Sequence, residues 1–312
     1  MKFSCEKSYL SNAIGTASRA AAVKSAVSAL EGLLVEAGDD VYISGYNLKT
    51  GIRTSFSADI TEKGSVVLNS RLFGEIVRRF DDDIVTVEAG ENNLVKISCG
   101  QSEFEIMGIS SADYPELPTV DYQNAFTVSE KTLKDMISQT IFAVSDNEAR
   151  PIHTGSLFDI EGGYLTVVSV DGYRLALRRE IMDEMRTDKC SFVVPSYALS
   201  EVEKILSDSE EKKAKITLGT KHIMFTMENT VVISRRLEGE FLNYKNSIPK
   251  NSKYFIEADR KSLISSIERV SLIISDKLKS PVRCVFGEDI LRVYTSTSLG
   301  KARRKETVKI LR

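Results

Sequence analysis

Two histidines and four cysteines are the side chains in this 312-residue chain best suited to metal or nucleophilic chemistry. Neither His153 nor His222 has a Cys, Asp or Glu at the spacing of a metal site. The chain also lacks the GxSxG, Walker and GxGxxG motifs, so the sequence predicts neither a nucleophile elbow nor a phosphate-binding loop. We therefore expect a binding protein rather than an enzyme, with no catalytic residue, metal or cofactor.

The cysteines are scattered along the chain without a CxxC pair, at Cys5, Cys99, Cys190 and Cys284. This distribution argues against a zinc site or a disulfide framework and is typical of a reducing cytosol. We interpret each cysteine as a small core residue, with a reactive thiol as the alternative. No apolar run approaches the roughly 20 residues needed to cross a bilayer. The N-terminus also lacks the apolar stretch of a secretory signal, so we expect a cytoplasmic protein.

The elements that must position any functional side chains repeat along the chain. Three similar segments, KSYLSNAI, KTLKDMI and KSLISSI, place apolar residues at helical spacing. Each follows a short strand-like segment, around Phe3, Phe126 and Phe255, at nearly equal steps. A repeat at this spacing predicts copies of one domain-sized unit, which favours a protein that works by shape over one built around a single catalytic pocket.

The repeats predict units at 1–121, 122–247 and 248–312. The proline-containing segments DYPELPTVD and LEGEFLNYKNSIP are expected to join them. The third unit stops after a predicted hairpin over RCVFGEDILRVYTST, and the last stretch, GKARRKETVKILR, is basic without a clear pattern. We therefore interpret the third unit as about half complete and the chain as truncated.

Two helix predictions in the complete units are specific enough to compare with a structure. RLFGEIVRRF predicts a helix with Leu72, Ile76 and Phe80 on its inward face. In the second unit, apolar residues at helical spacing from Leu133 to Val144 predict one continuous helix.

Composition and charge set wider limits on function. Apolar residues make up 42% of the chain and charged residues 28%, as in soluble globular proteins. The net charge of −2 means that bulk electrostatics predicts no affinity for nucleic acid. A small net charge is still compatible with a basic face and an acidic face on one molecule.

Several motifs in the right order carry a resemblance to a known family. The strongest is EARPIHTGSLFDIEG followed by VVSVDGYRLALRR, over 148–179, and SADYPELP and LEGEFLNYKNSIPKN match the two family linkers. The chain resembles the bacterial sliding clamps, the beta subunits of DNA polymerase III. The resemblance implies an α+β fold of tandem DNA-clamp domains, two complete and one partial, each with two helices packed on curved antiparallel sheets.

The resemblance also implies a function. Family members form a head-to-tail homodimeric ring that encircles duplex DNA and tethers the replicative polymerase as a non-catalytic processivity factor. Such a ring needs only weak, sequence-independent contacts with phosphates, so we expect cations on the helices that line the hole. The candidates are Lys24, Arg71, Arg78, Arg79 and Lys134. Ordinary solvated helix faces are the alternative interpretation of these cations.

Family partners, which include the replicative polymerase, the clamp loader and other proteins with a clamp-binding motif, bind by a short peptide in an apolar pocket. For three of the pocket residues there is an alternative role. Ile152 and Leu175 would pack in the core, and Arg174 would form an ion pair with Asp171. By the motif match, the pocket residues are Arg150, Ile152, His153, Gly172, Tyr173, Arg174, Leu175 and Leu242.

The chain departs from the family pattern in this pocket. His153 stands where the family usually has Leu, Tyr173 where it has His, and Leu242 where it has Pro. We also expect the C-terminal tail that forms one pocket wall in the family to be missing. We therefore expect an incomplete pocket with reduced affinity and an altered motif preference.

The expected dimer interface pairs an edge strand of domain one with an edge strand of domain three from the neighbouring subunit. Phe104 and Ile106 match the first side, and Leu272 and Ile273 match the second, with burial inside their own domains as the alternative. Because the matching strand is expected in the missing half of domain three, we predict that this chain does not form a stable closed dimer. An inactive or decoy paralogue, or a truncation product that cannot close a ring, is the second functional hypothesis.

Overall fold

The computed structural model describes residues 1–81, 83–122, 124–182, 189–275, 280–287 and 289–311. The chain divides into two compact units, Met1–Leu242 and Asn243–Arg312. The first unit contains two repeats of one arrangement, in which a strand and a helix precede further strands, a second helix and three final strands.

The first repeat contains two helices and nine strands. The elements are β1 (Lys2–Glu6), α1 (Lys7–Ala17), β2 (Gly32–Ala37), β3 (Val41–Tyr46), β4 (Thr50–Phe56), β5 (Asp59–Glu62), β6 (Gly64–Asn69), α2 (Ser70–Arg78), β7 (Ile84–Ala89), β8 (Leu94–Cys99) and β9 (Ser102–Met107).

The second repeat follows the same order, but the segment that would correspond to β5 includes 183–188, which lie outside the described residues. The predicted helix from Leu133 to Val144 is wrong in length, because α3 ends at Ser138 and a separate 3-10 turn follows at Ile141–Ala143. The elements are β10 (Asn124–Ser129), α3 (Glu130–Ser138), β11 (Gly155–Glu161), β12 (Tyr164–Val170), β13 (Leu175–Ile181), β14 (Cys190–Pro195), α4 (Ser196–Ile205), β15 (Lys213–Leu218), β16 (His222–Met227) and β17 (Thr230–Arg235).

One antiparallel sheet joins the two repeats. Its eight strands run in the order β10-β15-β16-β17-β4-β3-β2-β6, so β17 of the second repeat pairs with β4 of the first. Thr230 lies opposite Thr54 at this joint, and their buried hydroxyls hydrogen-bond at 2.9 Å. The remaining strands form a five-stranded sheet, β5-β1-β7-β8-β9, and a four-stranded sheet, β13-β12-β11-β14. The boundaries 1–121, 122–247 and 248–312 remain a prediction.

The helices of the first unit are held by end caps and by an apolar face. The side-chain oxygen of Asn69 accepts a hydrogen bond from the Leu72 backbone N–H at 3.0 Å, which satisfies one of the unpaired donors at the start of α2. Phe73 and Val77 face the core, whereas Leu72 is 44% exposed. The predicted inward face is confirmed at Ile76 and Phe80, which are buried, and is wrong at Leu72, because the buried face of α2 begins at Phe73.

The second unit contains a three-stranded sheet, β19-β20-β21, and a two-stranded sheet, β18-β22. The hairpin predicted over RCVFGEDILRVYTST is present as β19 and β20, although residue 288 in its turn lies outside the described residues. The elements are α5 (Tyr244–Ser247), β18 (Phe255–Glu257), α6 (Arg260–Ser271), β19 (Arg283–Gly287), β20 (Ile290–Thr297), β21 (Gly300–Thr307) and β22 (Lys309–Leu311).

The basic C-terminal stretch has a regular structure, so the prediction that it carries no pattern is wrong. Strand β21 pairs along its length with β20, from Gly300 opposite Thr297 to Thr307 opposite Ile290. Ala302 packs against the small core of this unit while neighbouring cations face solvent. A single small apolar residue among charged ones hides the alternation of a half-buried strand from sequence inspection.

The cysteines divide by environment. Cys5 and Cys99 are buried, and burial, followed by the charge of Glu6, raises the pKa of the Cys5 thiol to about 12, which keeps it protonated. Cys190 is half-buried. Cys284 is exposed, so its interpretation as a core residue is wrong. It lies on the edge strand β19, every residue of which is exposed.

Candidate functional site

A cavity of about 640 Å³ in the first unit brings together five of the eight predicted pocket residues. It lies between the segment that follows α3 and the turn from β12 to β13. Its described lining is Ser145, Asp146, Asn147, Arg150, His153, Val170, Asp171, Gly172, Tyr173 and Leu242. The sequence reasoning missed 145–147, although these residues directly precede the motif that contains Arg150.

Local backbone interactions shape both walls of the cavity. On one wall, Pro151 occupies the first turn of the 3-10 helix Pro151–Thr154, where its missing N–H needs no partner. On the other wall, Asp171 Oδ1 accepts hydrogen bonds from the backbone N–H groups of Tyr173 and Arg174 at 3.0 and 3.1 Å. Gly172 supplies the left-handed conformation between them, with φ of +91°. This turn leaves Tyr173 fully exposed at the rim of the cavity.

His153 forms part of a flat aromatic surface. Its ring stacks on Phe241 with 5.3 Å between centroids and 15° between planes. Burial lowers the pKa of the imidazole, and the positive charge of Arg150 lowers it further. The ring is therefore neutral at pH 7 and behaves as an apolar surface in a cavity that Val170 and Leu242 also line.

Three predicted pocket residues do not line the cavity. Arg174 instead forms an ion pair with Asp171, at 2.7 Å between Nε and Oδ2, and lies over the Phe142 ring. This is the structural role that the sequence left as an alternative. Ile152 and Leu175 are half-buried beside the cavity, with Ile152 packed near Gly239.

The five candidate DNA-binding cations lie on different elements of the structure. Arg71 and Arg78 lie on α2, Arg79 follows its last turn and Lys134 lies on α3. Lys24 lies in the loop after α1, so its prediction as a helix residue is wrong.

Some of these cations already have partners. Arg71 pairs with Glu75 at 3.0 Å, and Lys134 pairs with Asp208 at 2.8 Å. Arg71 and Arg78 also line a groove of about 550 Å³ between α1 and α2. Exposed pairs of this kind contribute about 1 kcal/mol or less, so the arginine and lysine remain available to exchange a carboxylate for a phosphate.

The residues predicted for a dimer interface lie in two places. Phe104 and Ile106 lie on β9, the terminal strand of the five-stranded sheet. Phe104 is 42% exposed, with its ring edge against Phe80, and Ile106 packs on the core. Leu272 caps the C-terminal end of α6 and is 84% exposed, and Ile273 is half-buried in the turn that follows.

The described residues contain neither a cluster of metal ligands nor a helix suited to span a membrane. No three His, Cys, Asp or Glu side chains in the ranges given above converge in a way that would hold a metal ion. Likewise, no helix of the described structure combines the length and the apolar character that a membrane span requires.

Comparisons with known proteins agree on one family. The sequence model for the DNA polymerase III beta subunit N-terminal domain matches residues 1–118, and that for its central domain matches residues 127–243. The beta sliding clamp of Halalkalibacterium halodurans is 30% identical over 294 residues, which cover 90% of this chain and 77% of that protein. The beta sliding clamp of Bacillus subtilis is 30% identical over 292 residues, which cover 91% and 77%.

The likeness extends to three dimensions. The crystal structure of the Bacillus subtilis DNA polymerase sliding clamp superposes with a TM-score of 0.93 at 28% identity, covering 100% of this chain and 85% of that one. The predicted α+β fold of clamp domains, two complete and a third partial, is thereby confirmed. By sequence, by fold and by the two matched domains, the chain belongs to the beta sliding clamp family.

Proposed function

We propose that this chain acts as a DNA sliding clamp, which encircles duplex DNA as a head-to-tail homodimeric ring and so keeps the replicative polymerase on its template. The expectation that this chain does not form a stable closed dimer stays a prediction, and its outcome decides between this function and that of a decoy clamp that cannot close a ring. The observation that carries this proposal is the continuous sheet across the joint of β17 and β4, which joins two repeated domains through backbone pairing. A topological link holds DNA without reading bases, so the protein needs only weak contacts with phosphates.

The DNA contacts are assigned to the cations of α2 and α3 and of the loop after α1. Arg78 and Arg79 are exposed at the end of α2, and Lys24 is exposed in its loop. Long, solvated side chains of this kind interact with phosphates through water and are exchanged rapidly, which lets a ring move along the duplex. The protein is expected in the cytoplasm, in association with the nucleoid.

The cavity at His153 is assigned to the peptides of partner proteins, namely the polymerase, the clamp loader and other proteins with a clamp-binding motif. Its apolar surfaces can bury an anchor side chain, and its exposed polar side chains can fix the register of a peptide backbone. Arg150 is exposed at its edge and is suited to bind a carboxylate of the peptide.

Primer extension on a long, singly primed template tests the proposal. With the polymerase and clamp loader of the same bacterium, the full chain should lengthen the products made in one binding event. The variant Leu242→Asp, which places a charge in the cavity, should lose this effect. Leu48→Asp changes an exposed leucine on the turn after β3 and serves as the matched control. If products of unchanged length are obtained with the unmodified chain, the chain is an inactive or decoy clamp.

A further inference from the structure

The segment 109–121, here called the strap, lies across the eight-stranded sheet and connects the first repeat to the second. At its start, Ile109 forms a β-bridge with Val67 on β6. At its end, Asp121 Oδ1 accepts a hydrogen bond from the Thr220 backbone N–H at 3.0 Å, in the turn from β15 to β16. Because β6 and β15 lie near opposite ends of that sheet, the strap is fixed at both of its own ends.

The middle of the strap is held by side chains and not by its backbone. Among the described residues, 115–120 make no backbone hydrogen bond. Tyr114 is 6% exposed, and its hydroxyl donates to the Ser44 carbonyl oxygen at 3.3 Å. Leu117 lies so close to Gly51 that a Cβ built there would overlap Leu117 Cδ2. Tyr114 and Leu117 are therefore the anchors of the strap, as buried side chains are the anchors of a bound peptide.

The place where these anchors lie is built like the candidate cavity of the second repeat. In each repeat a 3-10 helix directly precedes a strand that begins with Gly, Ser28–Glu31 before β2 and Pro151–Thr154 before β11. The hairpin that follows has the same turn, in which the side chain of Asn47 or Asp171 accepts hydrogen bonds from two backbone N–H groups. Since the 3-10 helix and this turn form the walls of the candidate cavity, the first repeat has equivalent walls.

Individual wall positions agree with this equivalence. Leu30 has the place of His153, because each is the third residue of its 3-10 helix. Tyr46 has the place of Val170, because each is the last residue of the strand before the turn. Leu30 and Tyr46 are 1% and 8% exposed, so the counterpart in the first repeat is closed.

The segment that closes it is the strap. The bridge of Ile109 is repeated by Leu237, which bridges Val193 on β14. Tyr114 and Leu242 follow these two bridges at the same distance along the chain. Tyr114 is 6% exposed and packs with Leu30 and Tyr46, whereas Leu242 is 45% exposed at the candidate cavity. The strap therefore fills in the first repeat a space that is open in the second.

We propose that the first repeat contains a second peptide-binding site, which the chain's own strap occupies in cis. This first-repeat site is lined by Leu30, Tyr46 and Gly51. Its ligand is a short extended peptide with an aromatic residue and a leucine at the spacing of Tyr114 and Leu117. When the strap is displaced, the site takes a peptide of the same chemistry from another molecule.

Two features of the closed state favour displacement of the strap. Ser44, whose carbonyl oxygen binds Tyr114, is 1% exposed, and its Oγ has no hydrogen-bond partner in the described structure. An unpaired buried hydroxyl destabilises the closed state, and release of the strap exposes that hydroxyl to water. The acidic side chains Asp113 and Glu116 point outward and are exposed, so they contribute little to the seating of the strap.

The tether explains why the first-repeat site is closed in the intact chain. A segment joined to its site by a short connection has an effective concentration on the order of millimolar. A free peptide at micromolar concentration therefore does not displace the strap. Loss of the two anchors removes this competition and leaves the walls of the site in place.

Fluorescence anisotropy with the full chain tests the inference, with a labelled synthetic peptide of residues 109–121 as the probe. The anchor variant, Tyr114→Ala/Leu117→Ala, should bind the probe at least about tenfold more tightly than the unmodified chain, because its own strap no longer competes. The control variant Asp113→Ala/Glu116→Ala changes two exposed positions of the same strap. Its affinity should stay within about threefold of that of the unmodified chain.

Two further substitutions in the anchor variant locate the bound probe. Gly51→Leu places a side chain where Leu117 packs and should weaken binding at least about tenfold. Leucine is compatible with this backbone position, because Leu175 pairs with Val170 as Gly51 pairs with Tyr46. Leu242→Asp changes the cavity of the second repeat and should alter binding by less than about threefold.

Hydrogen exchange of the unmodified chain gives a measurement that needs no variant. The Tyr114 N–H donates to the Ser111 carbonyl oxygen at 3.1 Å in the closed strap. Unlabelled peptide at about 10 mM, above the effective concentration of the strap, should make this N–H exchange faster and leave the amides of β3 and β4 unchanged.

The inference is overturned if the anchor variant, shown to be folded by circular dichroism, binds the probe no more tightly than the unmodified chain. It is also overturned if Leu242→Asp and not Gly51→Leu removes binding, since the probe would then occupy the cavity of the second repeat. If the anchor variant does not fold, unchanged exchange of the Tyr114 N–H at about 10 mM peptide overturns it. These measurements contain neither DNA nor polymerase, so their outcome is separate from that of primer extension.

Discussion

At the scale of single residues, His153 shows how burial and a neighbouring charge determine the protonation state of a side chain in the candidate cavity. Burial on Phe241 and the charge of Arg150 both lower the pKa of its imidazole below the ordinary value of 6.5. The unfolded chain therefore binds more protons than the folded chain as the pH falls through 6.5. The contribution of His153 to stability is present above that pH and is lost as the pH falls toward the folded pKa.

The variant Arg150→Ala should raise the pKa of His153 toward 6.5, because it removes the second of the two causes. Titration of the imidazole signals by NMR measures this directly. His222 is the only other histidine and serves as an internal control. If Arg150→Ala changes the pKa of both histidines equally, or leaves the pKa of His153 unchanged, the charge of Arg150 does not lower the pKa of His153.

Because the pKa of His153 is lowered in the folded chain, the free energy of unfolding should fall as the pH is lowered from 7 to 5. Replacement by Leu, His153→Leu, removes the group that the unfolded chain protonates more readily and should make the urea midpoint less dependent on pH over this range. His222 has a lowered pKa of its own, from burial first and then Arg235, so part of the pH dependence should remain. If the urea midpoint of His153→Leu depends on pH as strongly as that of the unmodified chain, or more strongly, the pKa of His153 is not lowered by folding.

At the scale of elements, the joint between β4 and β17 depends on a buried polar pair. Thr54 and Thr230 are 5% and 7% exposed and hydrogen-bond to each other at 2.9 Å. Thr230→Val should cost about 1–3 kcal/mol, because the hydroxyl of Thr54 then has no partner inside the sheet. Thr54→Val/Thr230→Val should recover most of this loss. Urea unfolding of the two single variants and the double variant gives the interaction free energy between the two threonines. If the losses in free energy of unfolding are strictly additive, the hydrogen bond between them contributes nothing.

The start of α2 depends on its cap. Asn69→Ala should lower the free energy of unfolding by about 1 kcal/mol, because the Leu72 N–H loses its acceptor. Asn69→Ser keeps a side-chain oxygen at this position and should cost only a small part of that amount. Equal losses in urea titrations of the two variants would mean that the hydrogen bond contributes nothing to the helix.

The helices and strands could be predicted where the apolar spacing is regular. They could not be predicted where contacts with distant strands determine which residues are buried. The strand and helix that open each repeat follow from their apolar spacing, as at Leu10 and Ile14. Strand β2 lacks a clean alternation because it lies inside the eight-stranded sheet, where even Leu34 and Glu36 are half-buried. Strand β14 ends the four-stranded sheet, and its last four residues are buried without alternation. Strand β21 escaped prediction since only Ala302 marks its inward face.

The candidate cavity could be predicted only in part for a related reason. Arg150, His153 and Tyr173 follow from the motif match, but the loop that precedes them is brought to the cavity by its own turn. Asn147 Oδ1 accepts a hydrogen bond from the Ala149 N–H, and the Ser145 N–H donates to the carbonyl oxygen of His153. Such turns are local in sequence, yet the cavity wall that they form depends on contacts with distant strands.

At the scale of the whole molecule, a net charge of −2 conceals a division of charge between elements. Acidic side chains accompany the open edge of β9, and basic ones accompany the open edge of β21. Such a division gives the surface separate acidic and basic regions without giving the molecule a large net charge. A sequence average cannot report this arrangement, because it depends on which strands lie at the edges of the sheets.

The claim that copies of this chain close around DNA can be tested with a disulfide between two copies, from the terminal strand β9 of one copy to the terminal strand β21 of the other. The variant carries Glu103→Cys on β9 and Arg303→Cys on β21, and Cys284→Ser removes the exposed native thiol. Pairing Glu103→Cys with Arg283→Cys instead provides the control. The triple variant is oxidised in the presence of nicked circular plasmid and then denatured in detergent.

We expect protein to remain with the circular plasmid after denaturation and to be released when a restriction enzyme linearises the DNA, since a closed ring is held only by topology. Protein that stays bound to the linear plasmid, or that leaves the circle on denaturation despite complete disulfide formation, would contradict a clamp that encircles the duplex.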